Sequence, residues 1–205
     1  MRTLLLVHGA ASGPWVFDGW GASFPDAEIV TVDLQAGLDL AEASMSNYEA
    51  AVAAAAWLLE RPLALCGWSL GGLAAMMAAR RVAPEALVLL EPSPPAEVQG
   101  IDESVVPGPG TFDGEETYGR FPPGVRARPE SALARAERKR GISVPSLSEP
   151  TLVVYGDEFA EERGRSVARR YGAEELPLPG LDHWRLVLDP ACRTAVAGWL
   201  RRLAE

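Results

Sequence analysis

One segment of the sequence predicts the fold more clearly than any other: Pro62-Leu63-Ala64-Leu65-Cys66-Gly67-Trp68-Ser69-Leu70-Gly71-Gly72. Its apolar first half leads into Gly67-Trp68-Ser69-Leu70-Gly71, and small residues follow as far as Ala79. This order predicts a buried strand, a sharp turn at Ser69 and a helix. Glycine two positions to either side of the serine lets the turn close without a side-chain clash, so that the hydroxyl stands exposed above a sheet. So short a pattern also arises by chance, and we therefore interpret it together with the sequence on either side.

Short apolar runs alternate with longer helical stretches on both sides of this motif. Such alternation is typical of a parallel sheet whose strands are buried on both faces. The sequence predicts strands over 3–7, 28–33, 63–66, 86–91, 151–155 and 173–178, and helices over 46–60, 70–82, 159–171 and 191–203. Ser46 and Glu49 are predicted to form a capping box at the start of the first helix. The fold class is therefore α/β, with a doubly wound, mainly parallel sheet of about six strands.

Residues 92–149 interrupt this alternation. They are rich in proline and glycine up to Pro129 and have a helical pattern from about Glu130 to Arg140. Unstructured loops longer than about 12 to 15 residues are rare in compact domains unless they act as lids or binding loops. We predict a partly helical lid inserted into one domain that spans 1–205. A disordered excursion is the alternative, because 100–124 contains few large apolar residues.

The composition restricts the possible partners. A formal charge of −9 and a pI near 4.8 disfavour nucleic acid and anionic membrane surfaces. The basic cluster Arg135, Arg138, Lys139 and Arg140 is interpreted as a solvated helix face. Nothing resembles a signal peptide or a membrane span, so we expect a soluble, cytoplasmic protein. Two distant cysteines and two histidines offer neither a disulfide framework nor metal-ligand spacing, and no phosphate loop follows the first strand, so no cofactor or metal is expected.

Acyl transfer by a serine requires a base that takes its proton, a carboxylate that orients the base, and donors for the oxyanion. The chain contains two histidines, His8 and His183. His183 follows the last predicted strand, in a loop that can reach over the turn at Ser69, and the chain order of serine, acid and histidine suits this topology. We predict Ser69 as the nucleophile and His183 as the base, the alternative being a solvated loop histidine. Trp68 and Trp184 either line a pocket beside them or pack against the sheet.

A second motif, His8-Gly9-Ala10-Ala11, follows the first predicted strand. Its glycine lets the backbone approach a ligand closely. The N–H groups of Ala10 and of Leu70, at the start of the helix after the turn, are predicted to form the oxyanion hole. His8 itself is predicted to shape this loop rather than to act as a second base.

Taken together, these motifs resemble those of small serine hydrolases of the α/β-hydrolase fold. The resemblance follows the element order from residue 3 to residue 203 and implies an esterase-like activity, with Ser69 as nucleophile and His183 as base. It lacks the two strands that often precede the first one, so a small form is expected. Its most specific parts are His8-Gly9, Asp33-Leu34, Gly67-Trp68-Ser69-Leu70-Gly71-Gly72, Tyr155-Gly156-Asp157 and Asp182-His183-Trp184.

The chain departs from this family at the acid. The family's carboxylate usually stands three residues after the glycine that ends the penultimate strand, and that position is Phe159 here. Asp157 and Glu158 in the same loop are the first candidates for a replacement. Glu91, at the end of the strand after the Ser69 helix, is the second, because a carboxylate there would be costly to bury without a partner. A site with no effective acid is the third possibility.

The sequence thus predicts a hydrolase that acts on a small-molecule acyl substrate through a serine, a histidine and a carboxylate. The lid predicts a small to medium, partly apolar substrate. One alternative is a non-catalytic ligand-binding protein that keeps the serine turn but has no effective acid. Another is a lyase or carbon–carbon hydrolase that uses the same three groups, because a fold does not determine the reaction.

Overall fold

A parallel sheet forms the centre of the molecule. The computed structural model describes residues 3–119, 121–125 and 127–204. The strands are β1 (Thr3–Val7), β2 (Glu28–Val32), β3 (Leu63–Trp68), β4 (Ala86–Leu90), β5 (Thr111–Phe112), β6 (Glu130–Ser131), β7 (Thr151–Tyr155) and β8 (Glu174–Pro177). Six of them form the main sheet in the order β2-β1-β3-β4-β7-β8, and every neighbouring pair is parallel. The predicted α/β class and the predicted sheet are confirmed.

Helices cover both faces of this sheet. They are α1 (Met45–Trp57), α2 (Leu70–Val82), α3 (Ala96–Gln99), α4 (Gly114–Tyr118), α5 (Ala132–Arg140), α6 (Ser166–Tyr171), α7 (His183–Leu188) and α8 (Pro190–Leu203). A wide turn of π-helical type, Ala160–Arg165, leads directly into α6. Within the described ranges, no helix is both long and apolar enough to cross a bilayer.

Most predicted boundaries agree with the structure to within a few residues, and the exceptions have local causes. Ser44, not Ser46, caps α1: its hydroxyl accepts the N–H of Asn47, and the Asn47 side chain accepts the N–H of Ser44 at 2.9 Å. Asn47 thus completes the box in place of a glutamate. The short helix α7 was not predicted, because Asp182 caps it inside what looked like a loop.

The strand side chains point alternately into two apolar layers. Leu5, Val7 and Leu65 belong to a buried cluster with α1 and α2, whereas Leu4 and Leu6 belong to a second cluster with α7 and α8. All five residues of β1 are buried. Burial on both faces explains why these strands are continuous apolar runs rather than alternating ones.

The segment 92–149, which we call the insertion, leaves the sheet after β4 and returns at β7. It contains α3, α4, α5 and the small antiparallel ribbon β5–β6, so its helical part lies close to the predicted 130–140. The insertion is hydrogen-bonded to loops of the main sheet: the N–H of Arg128 donates to the carbonyl of Ala11 at 2.9 Å, and the N–H of Gly110 to that of Ala41 at 2.7 Å. It therefore packs over the loops that follow β1 and β2.

Candidate active site

Ser69 occupies the tight turn between β3 and α2. Its backbone angles are φ 55° and ψ −120°, in a region that a residue with a side chain rarely adopts. The turn is held by the N–H of Ser69, which donates to the carbonyl of Leu90 at 3.0 Å. A Cβ on Gly67 would overlap the carbonyl of Gly71, so the glycine before the serine is required for the turn to close. The strained turn presents the Ser69 side chain at the carboxyl end of the sheet.

The imidazole of His183 is bonded to Glu91. Its Nδ1 lies 2.6 Å from Oε2 of Glu91, whose side chain is completely buried. The other carboxylate oxygen, Oε1, accepts the N–H of Gly156 at 2.7 Å. Because a carboxylate only accepts hydrogen bonds, Nδ1 carries the proton of this bond, and Nε2 is the ring nitrogen that remains able to accept one.

The other two acid candidates bind backbone groups instead. Asp157 accepts the N–H of Gly180 at 2.7 Å, and Glu158 accepts the backbone N–H of His183 at 2.9 Å. Both side chains are exposed. The structure therefore brings Glu91, the second candidate from the sequence, to the imidazole ring. Asp157 and Glu158, the first candidates, instead bind backbone groups of the segment that leads to His183.

Phe159, at the position where the family usually has its acid, packs edge-on against the His183 ring. The two ring centroids are 5.1 Å apart, with an interplanar angle of 86°. Trp68 contacts the same imidazole, with a centroid distance of 4.9 Å. Two aromatic rings and one buried carboxylate thus fix the orientation of His183.

The two residues predicted to supply the oxyanion donors both lie at the carboxyl end of the sheet. Leu70 is the first residue of α2, and Ala10 lines the same cavity as Ser69. Among the described residues, neither backbone N–H has a hydrogen-bond acceptor. Leu70 also lies at the positive end of a helix.

His8 shapes the loop that contains Ala10. Its ring is buried, Nε2 accepts the N–H of Leu34 at 3.0 Å, and Nδ1 lies 2.9 Å from the carbonyl of Gly9. Both ring nitrogens are thus engaged with backbone groups. This geometry supports a structural role for His8.

Glu130 of the insertion holds the Ala10 loop from the opposite side, and nothing in the sequence indicated it. Its buried carboxylate accepts the N–H of Ala11 at 3.0 Å, the N–H of Ser131 at 3.0 Å and the hydroxyl of Tyr48. Burial, together with the adjacent Glu130 charge, raises the pKa of the Tyr48 hydroxyl far above its usual range. Ala11 itself has a positive φ of 53°, so this bond stabilises a strained backbone position.

These groups surround one cavity of about 530 Å³. Ser69 and His183 both line it, although in the described structure no hydrogen bond joins the serine hydroxyl to the imidazole. Such catalytic bonds are often long before substrate binds. Trp184 forms part of the wall and contacts Trp68 and Phe121, each with a centroid distance of 4.8 Å. The volume lies within the range typical of small-molecule sites.

The surroundings of His183 disfavour its charged form. Burial lowers the pKa of the imidazole below its ordinary 6.5, and the nearby positive charge of Arg163 acts in the same direction. The bond to Glu91 opposes this shift but does not cancel it. A ring that remains neutral near neutral pH can accept a proton at Nε2.

Replacement of Glu130 by glutamine tests the support of the Ala10 loop. The single amide oxygen of glutamine can replace only one of the two carboxylate oxygens. Its NH₂ group would then face one of the hydrogen-bond donors that the other oxygen now binds. We expect Glu130→Gln to lower the free energy of unfolding by about 1–3 kcal/mol, measured by urea denaturation. Glu137→Gln is the control, because Glu137 accepts a single backbone N–H, that of Met45, which an amide oxygen also accepts. Equal stability of the Glu130 variant and the wild type would contradict the role given to Glu130.

The chain matches the model of the alpha/beta hydrolase family over residues 4–204. No functionally curated protein matches the sequence. Solved structures share the fold at low identity. MenH from S. aureus has a TM-score of 0.71 at 16% identity, covering 100% of this chain and 95% of the other. A thermophilic esterase from Thermogutta terrifontis has a TM-score of 0.71 at 20% identity, covering 100% and 91%. Tomato Methylketone Synthase I has a TM-score of 0.71 at 19% identity, covering 99% and 97%.

These relatives carry different names, so the likeness describes the architecture and not a reaction. The family match extends over nearly the whole chain and includes the turn at Ser69 and the loop of His183. The sheet order and the position of the serine turn agree with that match. The chain belongs to the alpha/beta hydrolase family.

Proposed function

We propose that this protein is a serine hydrolase that cleaves small to medium carboxylic esters or related acyl compounds through an acyl-enzyme. The observation that carries the proposal is the 2.6 Å bond between His183 and the buried Glu91, on the cavity that also contains Ser69. A buried carboxylate bonded to Nδ1 is the arrangement that orients an imidazole for proton transfer. The family membership and the esterase among the similar folds support hydrolysis as the reaction class.

In the proposed reaction, Oγ of Ser69 attacks the acyl carbon while Nε2 of His183 takes the hydroxyl proton. The N–H groups of Ala10 and Leu70 stabilise the negative oxygen that forms. The protonated imidazole then donates its proton to the leaving alcohol, which departs and leaves an ester on Ser69. Water, deprotonated by His183, attacks this ester and releases the acid. Glu91 holds the ring in the tautomer with hydrogen on Nδ1.

The walls of the cavity support a partly apolar acyl group. Trp68, Trp184 and Phe121 form a connected set of aromatic rings next to Ser69 and His183. Rings of this kind bind apolar groups through buried area. The cavity volume of about 530 Å³ supports small and medium substrates rather than long chains.

The identity of the nucleophile and of the acid can be tested on the same set of variants. A fluorophosphonate probe labels only an activated serine, so we expect rapid labelling of the wild type and none of Ser69→Ala. We expect Glu91→Gln to lower kcat on a short acyl ester by on the order of 10⁴-fold, the loss known for a triad in which the amide imposes the wrong tautomer. Labelling by mass spectrometry and initial rates are the two measurements.

Asp157→Asn and Glu158→Gln are matched controls, because each amide oxygen can still accept the backbone N–H that the carboxylate accepts. Both should stay close to the wild-type rate, with circular dichroism confirming the fold of every variant. A large loss in either control together with a small loss in Glu91→Gln would assign the acid to that loop instead. Equal labelling of the wild type and Ser69→Ala would contradict the hydrolase and favour a non-catalytic binding protein.

The pH dependence of the reaction follows from the lowered pKa of His183. The base must be neutral, so kcat/KM should rise with pH through a midpoint below 6.5 and then level off. Since the folded pKa lies below the unfolded one, the unfolded state binds protons more readily, and the contribution of His183 to stability is lost as pH falls below 6.5. Enzyme incubated at each low pH and assayed at neutral pH separates titration from unfolding. A midpoint above 6.5 would contradict the buried, desolvated base.

A further inference from the structure

Two arginine side chains from different elements line the cavity together. Arg138 belongs to α5 of the insertion, and Arg163 to the wide turn after β7. Both are partly buried. Burial lowers the pKa of the Arg163 guanidinium, and the positive charge of Arg138 lowers it further. Two like charges have thus been brought together on the wall of the candidate active site.

Neither guanidinium has a carboxylate partner among the described residues. Arg138 donates to two neutral hydroxyls, Oγ of Ser93 at 3.2 Å and Oη of Tyr118 at 3.1 Å, and its Nε is buried without an acceptor. Arg163 lies with its Cζ 4.0 Å from the centre of the Phe159 ring. Within the described ranges its guanidinium has no hydrogen-bond acceptor.

This arrangement is unusual in a chain with 28 acidic and 19 basic residues. Some arginines elsewhere do have acidic partners, such as Arg128 with Asp33 at 3.0 Å and Arg81 with Glu49 at 3.2 Å. Partial burial of a cation is unfavourable, and the charges of Glu91, Glu162 and Glu158 offset this for Arg163 only in part. A bound anion would remove that cost.

The two acidic residues described in the cavity wall already accept hydrogen bonds from backbone N–H groups. Glu158 accepts the backbone N–H of His183, and Asp182 accepts the N–H of Arg185 as the cap of α7. Among the residues that the structure describes, three arginines and these two acids are the charged residues that line the cavity, a balance of one positive charge. Such a balance fits a monoanion such as a carboxylate.

We propose that Arg138 and Arg163 form a subsite for a carboxylate of the substrate, so that the preferred substrates are acyl esters that also carry an acidic group. This inference rests on the proposed function and specifies its substrate class. The guanidinium fork matches the planar geometry of a carboxylate. Phe159 connects the subsite to the reacting groups, because its ring contacts Arg163 on one side and His183 on the other.

Matched pairs of esters test this subsite. Each pair consists of a monomethyl ester of a dicarboxylic acid and its neutral amide analogue, for example monomethyl glutarate and methyl 5-amino-5-oxopentanoate. A series from succinate to pimelate varies the distance between the ester and the carboxylate. A second series, such as 4-acetoxybutanoate and 4-acetoxybutanamide, places the carboxylate on the alcohol side. Comparison of the two series shows which half of the ester carries the anion.

In the wild type we expect at least one acidic ester to exceed its amide partner in kcat/KM by about tenfold or more, because charge-assisted hydrogen bonds are the stronger class. Arg163→Gln and Arg138→Gln should each remove most of this preference, mainly through the KM of the acidic ester. The controls are Arg165→Gln and Arg140→Gln, on the same two elements but exposed and outside the cavity. Rates are compared at pH values where kcat/KM has levelled off, because the charge of Arg163 also affects the pKa of His183.

Binding to Ser69→Ala provides a readout that does not need turnover. Calorimetry with monomethyl glutarate should detect binding that Arg163→Gln in the same background weakens by about tenfold or more, by the same argument. Equal kcat/KM for acidic and amide esters in every pair, with Ser69 labelled by the probe, would overturn the subsite and leave the hydrolase intact. Probe labelling absent from the wild type would overturn the hydrolase, and the calorimetry would then decide the subsite alone.

Discussion

The burial of one carboxylate, that of Glu91, is the constraint on which the candidate site depends. A charged group with no exposed surface is stable only when its oxygens are fully hydrogen-bonded, and here one oxygen takes the N–H of Gly156 and the other takes Nδ1 of His183. These bonds tie together the ends of β4 and β7 and the start of α7. The imidazole is therefore oriented by a residue at the end of a sheet strand.

Backbone strain is concentrated around this carboxylate. Among the described residues, four residues other than glycine have a positive φ, and three of them are Ala11, Ser69 and Glu91. They follow β1, β3 and β4, at the carboxyl end of the parallel strands. Such conformations cost about 1–3 kcal/mol each and persist where the surrounding structure enforces them. Here the carboxylate of Glu130 accepts the N–H of Ala11, and the carbonyl of Leu90 accepts the N–H of Ser69.

The sequence predicted the architecture well, because buried parallel strands are continuous apolar runs that end at glycine or proline. It also singled out Ser69 and His183, since the serine turn needs glycine neighbours and histidines are scarce. Among the acids it placed Asp157 and Glu158 first, because they lie in the loop where the family usually has its carboxylate. The structure brings Glu91 to the ring, since contact depends on which strand end faces it.

The insertion was the least predictable part of the site. Arg138 looked like one member of a solvated basic cluster, yet it lines the cavity, because α5 turns that side chain inward while Lys139 and Arg140 remain exposed. Glu130 stands in a polar, proline-containing stretch that gives no sign of burial. Both roles arise from contacts between residues far apart along the chain, which a local pattern does not reveal.

The bond between Glu91 and His183 can be measured directly by nuclear magnetic resonance. Selective ¹⁵N labelling of histidine gives signals from two residues, and His8→Gln identifies those of His183. We predict a strongly downfield proton on Nδ1 of His183 that is lost in Glu91→Gln and retained in Glu158→Gln. A downfield proton that persists in Glu91→Gln and disappears in Glu158→Gln would contradict this prediction.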